Sequence, residues 1–151
     1  MLKLNFVERA HTWMHQDDPP DVVIFNYEER REDTDEKIDV RRFDAEALRA
    51  DPIEYTIRNV INPFCGLYRR EPFLEAGGPD TDPKVHYNED AAMHCKLARA
   101  GLRFEADPTV TVVNYHREDS MSQANLVKCE RARYHVLKKC AKFNGDTHGE
   151  A

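Results

Sequence analysis

The chain has 151 residues, 33% of them charged and 40% hydrophobic, with a formal charge of −6. That length holds one domain around a single core and is too short for two. The acidic balance excludes generic nucleic-acid binding, which needs a basic face, although 128–142 runs the other way with Lys128, Arg131, Arg133, Lys138, Lys139 and Lys142 against Glu130 alone.

From 3 to 16, Leu4, Phe6, Val7, Ala10, Trp13 and Met14 recur at helical spacing. Asp17-Asp18-Pro19-Pro20 ends that helix, because proline lacks an amide proton and restricts its predecessor. Val22–Phe25 is a short unbroken apolar run, the pattern of a strand buried on both faces. Residues 28–38 are almost wholly charged and are expected to form a solvated loop or hairpin tip. Residues 44–60 read as one or two short helices. Ile61–Tyr68 reads as a strand carrying Asn62-Pro63 and Gly66, and Arg70–Ala76 as a helix stopped by Gly77-Gly78.

Gly77–Tyr87 is a loop. Asn88 is the expected cap of a helix running to Ala100, with Gly101 as its stop. Leu102–Glu105 and Val110–Tyr115 read as two strands parted by Asp107-Pro108. A last helix is expected from about Asp119 to Phe143, with Leu126, Cys129, Val136, Leu137 and Cys140 on its apolar side. The domain is thus drawn as 1–143, and 144–151 as a flexible tail.

Cys65, Cys95, Cys129 and Cys140 form no C-x-x-C pair, so reduced core thiols are expected rather than a disulfide framework or a zinc site. No segment approaches the roughly 20 apolar residues of a membrane span. Met1–Trp13 is interrupted by charges, unlike a signal peptide. The expected setting is cytoplasmic.

The informative pattern lies in 62–120. It runs Gly66-x-x-Arg69-Arg70, Gly77-Gly78-x-Asp80, Asn88-Glu89-Asp90, Ala100-Gly101, a strand with Phe104, then Tyr115-His116 and Ser120. Glu89-Asp90 is a carboxylate pair delivered by a Gly- and Pro-rich loop to a helix start, where amides and the dipole favour the ionised form. A positioned carboxylate that takes up a proton contributes about 10²–10⁴-fold to a reaction. Acids in a first helical turn are equally good capping chemistry. His94 follows Asp90 by one helical turn, within reach of it. No nucleophile elbow stands near it to complete a hydrolase triad, and His11-x-x-x-His15 lacks the acid of a zinc helix.

In order and spacing, 62–122 resembles the second half of inverting family 2 glycosyltransferases with the GT-A fold. Residues 4–27 are similar to the helix and strand that follow that family's metal-binding aspartates. The resemblance implies a partial GT-A α/β fold, a mostly parallel sheet flanked by helices, without the N-terminal nucleotide-binding half. It implies Asp90 as general base and Glu89 as its support, with Arg69, Arg70, Tyr87 and His116 as substrate contacts. Exposed arginines beside a helix start, packed tyrosines and a surface histidine are the plainer readings of those four. Arg117 and Ser120 are weaker candidates.

The implied ligands are a nucleotide-sugar donor and a glycan or lipid-linked acceptor. Mg²⁺ or Mn²⁺ is expected in the full-length enzyme and none on this chain alone. The tripeptides Asp33-Thr34-Asp35 and Asp80-Thr81-Asp82 do not directly follow a buried strand, and they and Asp17-Asp18 are read as turn or surface acids. Pro79 in place of an aromatic, and Ala91-Ala92 in place of bulkier residues, depart from the family's pattern.

Loss of the nucleotide half would expose a sheet edge and apolar surface, so a homo-oligomer is expected. The basic helix over 119–143 would suit an anionic membrane face. The alternatives are a non-catalytic glycan- or partner-binding module, and one piece of a longer ordinary enzyme.

Overall fold

The structure, a computed structural model, describes residues 1–117 and 125–145, with side chains as far as 140. A four-stranded mixed sheet is flanked by helices. In chain order the elements are α1 (Asn5–Met14), β1 (Val22–Arg31), β2 (Lys37–Arg41), α2 (Ala45–Ala50), α3 (Pro52–Arg58), a 3₁₀ turn (Pro63–Cys65), β3 (Gly66–Tyr68), α4 (Arg70–Glu75), α5 (Glu89–Arg99), β4 (Phe104–His116) and α6 (Leu126–Gly145).

β1 is the centre of the sheet, buried from Val22 to Glu28. β4 runs parallel along its whole length, from Phe104 opposite Val22 to His116 opposite Arg31. The other edge is shared. β3 pairs antiparallel with Val22–Ile24, and β2 pairs antiparallel with Tyr27–Arg30. The sheet is therefore mixed, not mostly parallel as expected. The reason is local, because the turn between β1 and β2 is far too short for the crossover a parallel partner requires.

That turn is also shorter than the charged run suggested. β1 continues to Arg31 because its charges are paired across the sheet surface. The nearly buried Glu28 carboxylate accepts from Lys3 at 3.1 Å and from Arg30 at 2.6 Å. Likewise, the two strands expected at 102–105 and 110–115 are one strand, β4. Asp107-Pro108 is kept inside it as a bulge, with Phe25 facing Asp107 and Asn26 facing Val110. Asn26 fills the break, donating to the Pro108 carbonyl at 2.9 Å and accepting from the Phe43 amide at 2.9 Å. The fully buried Asp107 carboxylate accepts from Arg9 at 2.9 Å, from the Trp13 indole at 2.7 Å and from the Thr109 amide at 2.8 Å, which pins α1 to the bulge.

Helices α2, α3 and α5 cover one face of the sheet, where Ile24, Tyr27, Leu48, Ile61, Leu97 and Phe104 form the main core. On the other face Phe6 of α1 meets Phe25 edge-on at 5.6 Å. A second cluster joins α6 to α5 through Val136 and Cys140 against Ala92 and Cys95. There Cys95 and Cys140 are bonded, while Cys65 and Cys129 form no disulfide among the described residues, which corrects the expectation of four reduced thiols. The partners stand 45 positions apart with no local signature of pairing. Only the helix packing brings them together.

α6 buries Ala132, Val136 and Cys140 and leaves Leu126 and Leu137 exposed, so its apolar side is only partly the expected one. It extends to Gly145, past the expected start of the tail, while 119–124 and the rest of the tail lie outside the described residues. Part of the outer edge of β4 is taken by the first residues of the chain, with Leu2 bridging Val112 and the Lys3 amide donating to Thr111 at 2.8 Å. Met1, Leu2, Leu4 and Val7 remain exposed beside it. Among the described residues no helix is long and apolar enough to cross a membrane.

Candidate functional site

The junction that opens α5 is shaped by one unusual backbone conformation. Tyr87 has φ +78°, a left-handed value that costs a non-glycine residue free energy and collects at functional turns. The turn behind it is anchored by the fully buried Val85, whose carbonyl accepts from the Asn88 amide at 2.8 Å. Asn88 holds the cap position but its side chain makes no capping bond, contrary to expectation. The first helical turn is left to Glu89 and Asp90.

Asp90 is half-buried, and among the described residues its carboxylate makes no ion pair or hydrogen bond. Burial first, and then the neighbouring charge of Glu89, push its pKa up to about 6. Its charge reaches the 3₁₀ turn and β3. Cys65, pushed up to about 12 mainly by burial, is raised slightly further by Asp90, and the Tyr68 hydroxyl, raised mainly by burial and then by Cys65, feels it as well. One carboxylate oxygen of Glu89 is buried with no partner among the described residues. A buried polar atom left so costs about 1–3 kcal/mol, and a native fold that tolerates one calls for a reason.

His94 ties this junction to β3. It is fully buried, and burial lowers its pKa to about 4, so the ring is neutral. Its Nδ1 stands 2.7 Å from the Asp90 carbonyl, which can only accept, so Nδ1 carries the proton. Nε2 is then an acceptor, and the Tyr68 hydroxyl donates to it at 2.8 Å. The tie runs to the Asp90 backbone and not, as its spacing suggested, to the carboxylate. Sequence reasoning missed Tyr68. The available signal was Gly66 two residues before it on the same strand face, because a Cβ at 66 would overlap the Tyr68 hydroxyl and ring.

The remaining candidates scatter. Arg69 is held by Asp21 at 3.2 Å, just before β1 begins, and Arg70 is exposed at the first position of α4. His116 is exposed at the far end of β4, 3.4 Å from Glu29. Arg69 and His116 thus lie at opposite ends of a ten-residue strand, about 30 Å apart. They do not share one small-molecule site. Tyr87 does lie at the Asp90 junction, with its ring against His86 and the Lys128 ammonium 5.4 Å from its centroid. Arg117 pairs with Glu32 at 2.6 Å, and Ser120 falls outside the described residues.

The D-x-D tripeptides do not fit a divalent cation. Asp35 accepts from Arg30 at 2.9 Å and from Tyr115 at 3.2 Å. Asp80 and Asp82 share the Lys139 ammonium at 2.8 and 3.4 Å, so a cation already stands between them. Burial alone would raise Asp80, but Lys139 and the Asp82 amide hold it below the usual carboxylate value. His11 and His15 stack at 3.7 Å on the exposed side of α1. A cleft of about 450 Å³ opens on the side of α5 away from Asp90, between the Gly77–Thr81 loop and α6, with the Cys95–Cys140 bond in its wall.

Fold and site together define a mixed α/β domain that presents a half-buried acid pair, with no ion pair among the described residues, at a helix start. Compared with family models, with curated proteins and with solved structures, the chain matches none.

Proposed function

We propose that this domain is the acceptor-side half of an inverting nucleotide-sugar glycosyltransferase of family 2, with a partial GT-A fold and Asp90 as the general base. The observation that carries the reading is the state of the acid pair. A half-buried carboxylate with pKa about 6, no ion pair among the described residues, and an unpartnered buried oxygen beside it on Glu89 are what a proton acceptor near neutrality requires. In the step proposed, the acceptor hydroxyl oxygen bonds to the anomeric carbon from the side opposite the nucleoside diphosphate. The bond from that carbon to the diphosphate breaks with its electron pair, and the hydroxyl proton passes to Asp90. Glu89 raises the proton affinity of Asp90 and can accept a hydrogen bond from a second acceptor hydroxyl.

Donor binding and Mg²⁺ or Mn²⁺ belong, on this reading, to a nucleotide-binding half outside these 151 residues. The exposed apolar residues beside β4 would then face that half or a second copy of the chain. The reading implies a cytoplasmic enzyme, whereas disulfides are rare in reducing compartments. Thiol alkylation of protein taken directly from cells decides whether Cys95 and Cys140 are bonded there.

A non-catalytic glycan-binding module is the second reading, favoured by the engagement of Arg69 with Asp21 rather than with an incoming diphosphate. Sugar transfer assayed with a panel of nucleotide sugars and glycan acceptors, on the gene product in its full length, separates the two. Asp90→Asn should lower turnover about 10²–10⁴-fold with acceptor binding retained. Glycan binding without any transfer, unchanged by that substitution, would establish the module.

A further inference from the structure

Helix α6 has two different faces. Val136 and Cys140 belong to the second core cluster, and Ala132 on the same side is buried. At 3.6 residues per turn, Val127 and Tyr134 stand opposite that side and Leu126 and Leu137 on the flank between, and the four are 67, 61, 65 and 40% exposed. A helix that only covers a core turns polar side chains outward. This one turns outward a second apolar strip.

The charges along that strip are one-sided. Arg131 and Lys138 line one margin and Arg133 the other, all exposed, and among the described residues none makes an ion pair. Glu130 is the one acid between them, in a chain whose net charge is −6. Several exposed cations elsewhere are neutralised, as with Arg58 on Glu54, Arg103 on Asp18 and Arg117 on Glu32. On this helix, cations line both margins of the apolar strip.

We infer that the outer face of α6 docks on the surface of an anionic lipid bilayer. An in-plane helix places its apolar face about 5–10 Å into the boundary between headgroups and chains. Tyrosine suits that depth, with a ring for the chains and a hydroxyl for the headgroups. Long arginine and lysine stems on both margins let their charges reach lipid phosphates while the strip inserts. The charge on each margin meets a surface of diffuse negative charge better than a protein groove, which would have to place an acid at each cation. The inference does not depend on Asp90, which lies on α5.

The test is co-sedimentation of the whole chain with vesicles of phosphatidylcholine alone and of phosphatidylcholine mixed with phosphatidylserine. Binding should require the anionic lipid and weaken as salt rises. Val127→Asp with Tyr134→Asp should abolish it. Arg131→Glu with Lys138→Glu should lower it more than tenfold, since each cation near the surface is worth about a fivefold change in binding. All four positions are exposed, so circular dichroism should show an unchanged fold, and Arg58→Glu off this face serves as the control. A wild-type chain that stays in the supernatant with anionic vesicles, or that binds both vesicle types alike, overturns the inference. So does binding that survives both double substitutions.

Discussion

Two acid pairs belong to the same loop and its exit, and they differ in what the fold sets beside them. Asp80 and Asp82 close around Lys139, and their pKa values fall. Glu89 and Asp90, a few residues later, meet buried uncharged groups, and Asp90 rises to about 6. In sequence both are acids in a glycine- and proline-rich stretch. What separates them is what the fold sets opposite, the ammonium of α6 in one case and Cys65, Tyr68 and neutral His94 in the other. The first arrangement stabilises a fold. The second stores proton affinity at the cost of stability, a signature of function.

The largest effect on this contrast should come from removing what holds α6 against the first pair. Cys140→Ser opens a covalent link closing 45 residues, for which the chain-entropy account gives about 4 kcal/mol. Denaturant unfolding should show that loss, and added reductant should destabilise the wild-type chain but not the variant. Next comes Lys139→Met, which leaves the nearly buried Asp80 without its cation. A cost of about 1–3 kcal/mol is expected, and the Asp80 carboxyl should titrate higher by carbon NMR, moving toward the behaviour of Asp90. An unmoved Asp80 would mean that Lys139 does not set the difference.

Much of this fold is legible in the sequence wherever the signal is local. The apolar run at Val22 marks the central strand, Asp51-Pro52 starts α3, and Gly77-Gly78 and Gly101, all at positive φ, stop two helices. The legible parts of the site are Glu89 and Asp90, because a loop-to-helix acid pair is a local pattern too. Non-local pairing is what stayed hidden. Nothing in 28–38 or 104–116 announces that the ion pairs of Glu28 with Lys3 and Arg30, and the hydrogen bonds of Asn26, hold those segments in continuous strands. The Cys95–Cys140 link and the commitment of Arg69 to Asp21 arise from packing between residues far apart in the chain.

A smaller effect should follow from loosening the tether behind Asp90. Tyr68→Phe removes the donor to His94 Nε2 and leaves a buried acceptor open, which costs about 1–2 kcal/mol. The His94 ring should keep its Nδ1 proton on the Asp90 carbonyl, visible as an unchanged tautomer by nitrogen NMR. A switched tautomer would show that Tyr68, not the carbonyl, sets the ring's state.

The gentlest test follows stability against pH, where the two pairs should tilt in opposite directions. Asp90 has a folded pKa of about 6, above the roughly 3.9 of an unfolded aspartate, so between those values the native chain holds more protons. Its contribution to stability therefore declines as pH climbs through that window. Asp80 is held below its unfolded value, so its contribution is present above about pH 4 and disappears as pH drops through the folded pKa. Asp90→Asn should accordingly be more stable than wild type at neutral pH, with the gain fading as pH falls from about 6 to about 4, whereas Asp80→Asn should be less stable at neutral pH and approach wild type in acid. Should Asp90→Asn prove less stable at neutral pH, the carboxylate has a structural partner and its role is that of a cap. If it gains stability and loses transfer together, the fold is holding that carboxylate in an unfavourable state for a purpose other than folding.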